Sequence, residues 1–387
     1  MRSGAITPHP IHHISGVKNH MEQYDFLVVG AGLFGATFAQ QAAERGKRVL
    51  VIDRRNHVAG NAHCDIIEGI PVYRYGPHIF HTNDRSVWEY LNRFGRFNHY
   101  AHCPMAQTQD SIINLSINMN TYAQLWGIHT PEEARREIKK QSSREGIDKP
   151  RNLEEQCLKL LGRDLYERLV QEYIEKVALT PCRELAPDAI ELPQPHFTYD
   201  NRIFPDRFQG VPEEGYDVLV KRMLAGCDIK LNTDYMGFGA GNPDIAARTI
   251  FTGMIDEYFK FNRGTLAYRT CRYENEVLDT PNYQGVSVID HIPASVPYSR
   301  TIEHKHFVFG TQPKTVITRE YPEPWNPTRQ PYFPVHDAEN LALYNSYRAL
   351  SVTQLDVVFC GRLGSFQYYS MEQTVRAALE LAAREIK

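Results

Sequence analysis

The chain changes hydrophobic period twice within its first ordered-looking stretch. Phe26-Leu27-Val28-Val29 is a short continuous apolar run of the length expected for a buried strand. Gly30-Ala31-Gly32-Leu33-Phe34-Gly35 interrupts it, and an alanine-rich helical stretch runs from Ala36 to Glu44. A second apolar run, Val49-Leu50-Val51-Ile52, ends on Asp53. Strand, glycine turn, helix, strand and acid, in this order, predict a dinucleotide-binding βαβ unit. Gly30 permits the tight turn, Gly32 lets a pyrophosphate approach the backbone, and Gly35 lets helix and strand pack closely. The helix N-terminus offers free N–H groups and the positive end of its dipole to the phosphates. Asp53 stands where a carboxylate accepts hydrogen bonds from a ribose. The motif alone is weak evidence, and an ordinary glycine-rich turn is the competing explanation; the surrounding strands and the closing acid favour the nucleotide site.

Further along, Arg54-Arg55-Asn56-His57-Val58-Ala59-Gly60-Asn61 carries a small-residue pair, Ala59-Gly60, of the kind that opens around the cofactor in flavoproteins. Tyr75-Gly76-Pro77-His78-Ile79-Phe80-His81-Thr82-Asn83 breaks the pattern with a Gly-Pro turn and two histidines. From Asp84 to about Ala178 the period is helical. Asp84 can cap Arg85–Phe94, Thr130-Pro131-Glu132-Glu133 has the form of a capping box, and Asn152 with Glu155 repeats it. Leu158, Leu161, Leu165, Leu169 and Tyr173 mark one buried face.

The proline-rich stretch Thr180–Pro195 reads as a loop or domain crossing. Glu214–Leu231 returns to α/β form, with a helix after Gly215 and a strand at Ile229-Lys230-Leu231; Thr249–Gly253 reads as a strand ending in a turn. Leu266–Pro334 predicts a mostly antiparallel sheet. Val357–Cys360 is a further strand, followed by Gly361-Arg362 and a helix from about Met371 to Lys387.

The expected architecture is therefore α/β: an FAD-binding Rossmann-like domain with an inserted helical domain and a mostly antiparallel β-sheet domain. A poorly ordered leader is expected at 1–20. The cofactor domain comprises 21–83, 205–260 and 340–387, the helical domain 84–180, and the substrate domain 181–204 with 261–339. Composition bears on what such a protein does. A formal net charge of −3 over 387 residues gives no basic footprint for nucleic acid. No run approaches the roughly 20 apolar residues of a membrane span. The seven cysteines form no C-x-x-C pair, which fits reduced thiols in a cytoplasmic protein. No metal site is expected.

Several longer stretches carry a resemblance. Gly30–Gly35 with Asp53, Arg55-Asn56-His57 with Gly60-Asn61, and Tyr75–Asn83 are among them. So are Asn118-Met119-Asn120-Thr121, Asn152-Leu153-Glu154-Glu155-Gln156, Thr252-Gly253 with Ile255-Asp256, Ile302–Phe307, and Gly361-Arg362-Leu363. Over nearly all of residues 24–387 the chain resembles the bacterial UDP-galactopyranose mutases. The resemblance implies an FAD enzyme, active with reduced flavin, that interconverts pyranose and furanose forms of a nucleotide sugar through an N5–sugar adduct without net redox change. It implies a nucleotide-sugar substrate, a cellular reductant and, by analogy, a homodimer.

On the cofactor side the resemblance assigns Gly30, Gly32, Phe34, Gly35, Asp53, Arg54, Gly60 and Asn61 to the nucleotide, with His78 and His81 beside the flavin. Gly361, Arg362 and Met371 match the C-terminal segment that reaches the cofactor. Arg300 matches a diphosphate-binding arginine and, with His81, stands nearest the chemistry; Tyr173, Tyr368, Asp290 and Phe204 fall in the substrate cleft. That cleft departs from the family pattern. Ala178 stands where a mobile loop carries tryptophan, and Leu192 where a second diphosphate arginine is expected. Ile203 and Phe333 replace tyrosines, Asp290 an asparagine, and Ser370 an acid. Arg183 and Arg202 are the candidate substitutes for the lost arginine. The departures point to a sugar other than UDP-galactose, with a deoxysugar nucleotide as the concrete expectation. The alternatives are UDP-galactose with a rearranged loop, a redox flavoprotein of the amine-oxidase or dehydrogenase kind, and a non-catalytic flavin-bound paralogue.

Overall fold

In the computed structural model, which describes residues 24–190 and 192–386, the first apolar run becomes the middle of a five-stranded parallel sheet. The expected leader at 1–20 lies outside the described residues. The strand order is Val357–Phe359, Ala246–Phe251, Tyr24–Val29, Val49–Ile52 and Asp228–Lys230. Val28 pairs with Ile250 on one side and Val51 on the other. A parallel sheet needs cover on both faces, which is why its inner strands read as unbroken apolar runs. Val28, Val51, Ile52 and Ile250 have no accessible surface. Helix Leu33–Glu44 packs with the C-terminal helix Met371–Glu385 and with Tyr216–Met223. The chain's end thus completes the domain that its beginning founds.

The second sheet has seven strands, in the order Phe333–Pro334, Tyr268–Leu278, Thr315–Pro324, Arg300–Glu303, Val288–His291, Met105–Gln107 and Ile112–Asn114. All its joins are antiparallel except Val288–His291 with Met105–Gln107. Two of these strands fall within 84–180, the stretch expected to be helical. Each is only three residues long, too short to display an alternating pattern, and pairing with the neighbouring strand defines it. A separate two-stranded pair joins Phe80–Thr82 to Phe208–Gly210.

Most of 84–180 is helical, and its caps follow the sequence. The Asp84 carboxylate accepts from the N–H groups of Ser86 and Val87, and Thr130 with Glu133 forms a reciprocal cap. Asn152 accepts from the Glu155 N–H at 2.9 Å, but Glu155 turns to the N–H of Arg151. Leu158, Leu161, Leu165 and Leu169 share one core cluster. Tyr166–Val170 then forms a π-helical turn, whose extra residue shifts the phase of the following helix, Gln171–Ala178. Tyr173 consequently sits at the margin of the leucine cluster, half-buried, with its hydroxyl turned to the antiparallel sheet. No helix of the described residues is long and apolar enough to cross a membrane.

Candidate active site

The glycine turn is held from two directions. Gly30 has φ +110°, and a Cβ there would lie 2.1 Å from Thr252 Oγ1. A Cβ on Gly35 would lie 1.9 Å from the Gly30 carbonyl oxygen. These two glycines are demanded by the protein's own packing. Gly32 differs. Its φ is −78°, and an added Cβ would meet nothing nearer than Gly60 Cα at 3.7 Å, an ordinary contact. The fold leaves the Gly32 side open, as a closely approaching pyrophosphate requires. Gly32 also precedes helix Leu33–Glu44 with no side-chain cap, so the first helical amides are not taken by a side chain at the turn. A cleft of about 160 Å³ opens here, lined by Gly30, Gly32, Asp53, Arg54, Gly60 and Thr252 among others. This donor set fits the diphosphate and ribose of a dinucleotide.

Asp53 borders the cleft but has structural work as well. Its Oδ2 accepts from the Ala31 N–H at 2.8 Å and its Oδ1 from the Arg55 N–H at 2.9 Å. Arg54 pairs with Glu257 at 2.5 Å across the mouth, and Asn61 Oδ1 accepts from Arg55 at 2.9 Å. Gly60, at φ +57°, follows Ala59 at φ +68°, and its missing Cβ allows close approach to Gly32. Gly361, at φ +69°, abuts Thr252 and buried Phe34 from the far side. Met371 begins the C-terminal helix, where its sulfur is 3.9 Å from the Tyr216 hydroxyl, and it packs against the core cluster that includes Ala31, Leu33 and Phe34.

The segment with two histidines ends in strand Phe80–Thr82, paired with Phe208–Gly210. His78 Nδ1 lies 2.8 Å from the Gly76 carbonyl oxygen, and burial, with Arg362 nearby, pushes its pKa down to about 4. A neutral ring donating from Nδ1 leaves Nε2 as an acceptor. His81 stacks on Phe204 and its Nδ1 lies 2.5 Å from Asp206 Oδ2. Arg362 donates to the Tyr332 carbonyl at 3.2 Å and lies over the rings of Phe333 and Tyr368. Tyr368 is itself largely exposed.

The antiparallel sheet supplies a floor. Its register sets Asp290 opposite Arg300, Arg300 opposite Glu320, and Glu320 opposite Tyr273. Residues directly opposite share a face, and alternate residues return to it, so Cys271, Arg269 and Phe333 continue the row. Arg300 donates to the Tyr173 hydroxyl at 2.6 Å, and its Nε lies 3.3 Å from both Asp290 and Glu320. A Cβ on Gly76 would lie 2.9 Å from the Tyr273 hydroxyl and 3.5 Å from Glu320, which brings the two-histidine segment against this floor. Burial works to lower the Arg300 pKa, but the two carboxylates and the Tyr173 hydroxyl together raise it, so the guanidinium is charged.

Residues 168–368 match the family described as UDP-galactopyranose mutase, and residues 28–94 an NAD(P)-binding Rossmann-like domain. The dTDP-fucopyranose mutase of Escherichia coli is 31% identical over 370 residues, spanning 93% of this chain and 98% of that protein. A probable UDP-galactopyranose mutase of Klebsiella pneumoniae is also 31% identical, spanning 94% of each. The chain belongs to the UDP-galactopyranose mutase family. A crystal structure of reduced UDP-galactopyranose mutase shares the fold, with a TM-score of 0.71 over 94% of each chain at 13% identity. A putrescine oxidase variant shares it at a TM-score of 0.54 and 15% identity, over 94% of this chain and 99% of that one. The protein is accordingly an FAD-dependent nucleotide-sugar mutase, an isomerase.

Two departures from the UDP-galactopyranose mutase pattern take a different meaning in the structure. Ala178 is not on an open loop. It is the last residue of helix Gln171–Ala178 and is buried in the helical core, where its carbonyl accepts from Arg269. Leu192 packs into the same core. Both are apolar side chains occupying apolar positions, so neither marks a vacated ligand contact. Ser370 caps the C-terminal helix, accepting from the Gln373 N–H at 3.1 Å. Neither expected substitute arginine is free: Arg202 is paired with Asp200 at 2.6 Å, and exposed Arg183 lies 3.9 Å from Glu184. Arg269, which sequence reasoning passed over, lies on the floor and makes no ion pair among the described residues. Asp206, Tyr273 and Glu320 were missed as well. They lie far in sequence from the residues they touch, and only the alternation of strand Tyr268–Leu278 hinted at a polar face.

Proposed function

We propose that the protein interconverts the pyranose and furanose forms of a deoxysugar linked to a nucleoside diphosphate, in preference to UDP-galactose. The carrying observation is the composition of the floor. Asp290 and Glu320 both engage Arg300, while Phe333 faces Tyr368 with ring centroids 5.3 Å apart. An apolar wall suits a sugar that has a methyl group in place of a hydroxyl, and the similarity to a protein named dTDP-fucopyranose mutase supports the same reading. The second reading, UDP-galactose as substrate, rests on the equally similar Klebsiella pneumoniae relative.

When bound, reduced FAD supplies the nucleophile for the anomeric carbon. The protein's part is to hold, orient and exclude water. Gly30, Gly32, Phe34, Gly35, Asp53, Arg54, Gly60, Asn61, Gly361, Arg362 and Met371 hold the cofactor. His78 and His81 border its ring system, with Phe204 and Asp206 fixing His81. Arg300, oriented by Tyr173, holds the diphosphate while the sugar rearranges, so that it stays positioned for return. Arg269 adds a second cation about 13 Å farther along the same face, four residues from Tyr273 at strand spacing. Tyr368, Asp290 and Phe204 border the sugar. Segments 24–83, 205–260 and 340–386 carry the cofactor, the helices of 84–180 form a wall while its strands Met105–Gln107 and Ile112–Asn114 extend the sheet, and 181–204 with 261–339 carries the substrate. The enzyme works as a cytoplasmic homodimer and is kept active by a cellular reductant.

The test is anaerobic turnover by dithionite-reduced protein on dTDP-fucose, UDP-galactose and their furanose forms. The expected result is many turnovers per reducing equivalent, with kcat/KM favouring the deoxysugar by more than about tenfold, a difference of about 1.4 kcal/mol. Equal or better use of UDP-galactose would establish the second reading instead.

A further inference from the structure

The floor of the site holds an unusual charge arrangement. One guanidinium, Arg300, lies 3.3 Å from each of two carboxylates, Asp290 and Glu320. The trio carries a net charge of −1, and a nucleotide-sugar diphosphate would add two more negative charges. The two carboxylates are not equivalent. Glu320 Oε1 accepts from the Ser299 hydroxyl at 2.8 Å. Asp290 Oδ1 is buried and has no hydrogen-bond partner, and Arg300 Nε facing it has none either. They are close but not aligned. A buried pair in that condition has given up hydration without completing the bond that compensates for it.

We infer that Asp290 is a proton-accepting gate on Arg300: a bound diphosphate takes over the guanidinium, and Asp290 takes up one proton from solvent as it does so. This rests on the reading of Arg300 as the diphosphate ligand. The step balances simply, since one proton leaves the buffer and neutralises one carboxylate for each ligand bound. The surroundings favour Asp290 as the acceptor. Burial already raises its carboxyl above the ordinary range, with Arg300 first among the groups opposing, ahead of the Tyr173 hydroxyl and Lys176, and diverting Arg300 to a phosphate removes the largest opposition. The groups facing Asp290 are Arg300 from the next strand, Glu320 from the strand beyond, and Tyr173 and Lys176 from the helix above. Lys176 is spent on the carbonyls of His291 and Pro293, each at 2.7 Å, and burial lowers it to about 8. His291, next to Asp290 on the same strand, bonds Thr301 of the adjoining strand and is pushed down by burial to about 4, so it brings no charge at neutral pH.

The experiment is calorimetric titration of the reduced, FAD-loaded protein with dTDP-glucose and with UDP-glucose, whose diphosphates carry no proton near neutrality. Each titration is run in two buffers of different ionisation enthalpy, from about pH 6 to about pH 8.5. The expected result is uptake of up to about one proton per ligand and affinity that falls as pH rises, by at most about tenfold per unit. In Asp290→Asn the uptake disappears, the slope flattens and affinity at the upper pH rises about tenfold or more, while Glu320→Gln keeps the slope. Retained FAD content shows that each variant is folded. Binding that is independent of pH and buffer overturns the inference, as does uptake that survives in Asp290→Asn. Arg300→Lys separates the two levels: if it binds as tightly as the unaltered protein, the diphosphate reading falls and the gate with it. If it binds weakly but no uptake occurs, only the gate falls.

Discussion

The imidazole of His81 lies flat on the ring of Phe204, with centroids 3.7 Å apart and 6° between the planes. Asp206 sets the remaining rotation through its 2.5 Å contact with Nδ1. The antiparallel pairing of Phe80–Thr82 with Phe208–Gly210 brings the two segments together. With both faces of freedom removed, His81 presents Nε2 in one direction. On the proposed role of His81, Asp206→Ala lowers kcat by about ten- to a hundredfold, the worth of one charge-assisted hydrogen bond. Steady-state kinetics beside an FAD-content measurement checks this; unchanged kcat would remove Asp206 from the positioning of His81.

Gly32 and Gly35 separate a ligand requirement from a packing requirement. Gly35→Ala places a methyl 1.9 Å from the Gly30 carbonyl oxygen, and the turn must shift. We expect a stability loss of about 3 kcal/mol, read by denaturant unfolding of the apoprotein. Gly32→Ala meets only an ordinary contact at 3.7 Å, so the apoprotein keeps its stability within about 0.5 kcal/mol. The same variant loses FAD, because the methyl enters the side from which the pyrophosphate approaches. Full FAD binding by Gly32→Ala would contradict that placement.

Restoring the family residues at the two buried positions should harm the protein without improving its use of UDP-galactose. Ala178→Trp forces an indole into the packed helical core and costs about 3 kcal/mol or more. Leu192→Arg puts an unpaired charge into the same core, at about 3–5 kcal/mol. Thermal unfolding should show both midpoints lowered. A gain in UDP-galactose turnover from either variant would show that these positions reach the substrate.

Asp256 gives a pH signature. It has no accessible surface, its Oδ2 accepts from the Leu266 N–H at 2.9 Å, and its Oδ1 has no partner. Burial raises its pKa to about 6. An unfolded aspartate titrates near 3.9. Between these values the folded chain binds more protons, so the group is unfavourable above about 6 and its cost is relieved as pH falls. Asp256→Asn has no such titration. Its stability relative to the unaltered protein should fall by about 1.4 kcal/mol per pH unit from about 6 down to about 3.9 and stay level above and below that window, as urea unfolding at several pH values would show.

The nucleotide-binding unit was legible in the sequence because its constraints are local. A turn that needs φ +110° at Gly30 and no Cβ at Gly35 writes those residues into adjacent positions, and parallel strands buried on both faces must be continuously apolar. Family membership followed from the same kind of contiguous stretch, and the helix caps at Asp84 and Thr130 were visible because a cap and its partner are three residues apart. The charge arrangement at Arg300 had no such signature. Asp290, Arg300 and Glu320 meet only through the register of three strands, and a slip of one residue would turn any of them to the opposite face. The burial of Ala178 and Leu192 belongs with this class, since what surrounds a side chain depends on segments distant along the chain. Residue identity at a position was read correctly from sequence; what that position faces was decided by packing and strand register.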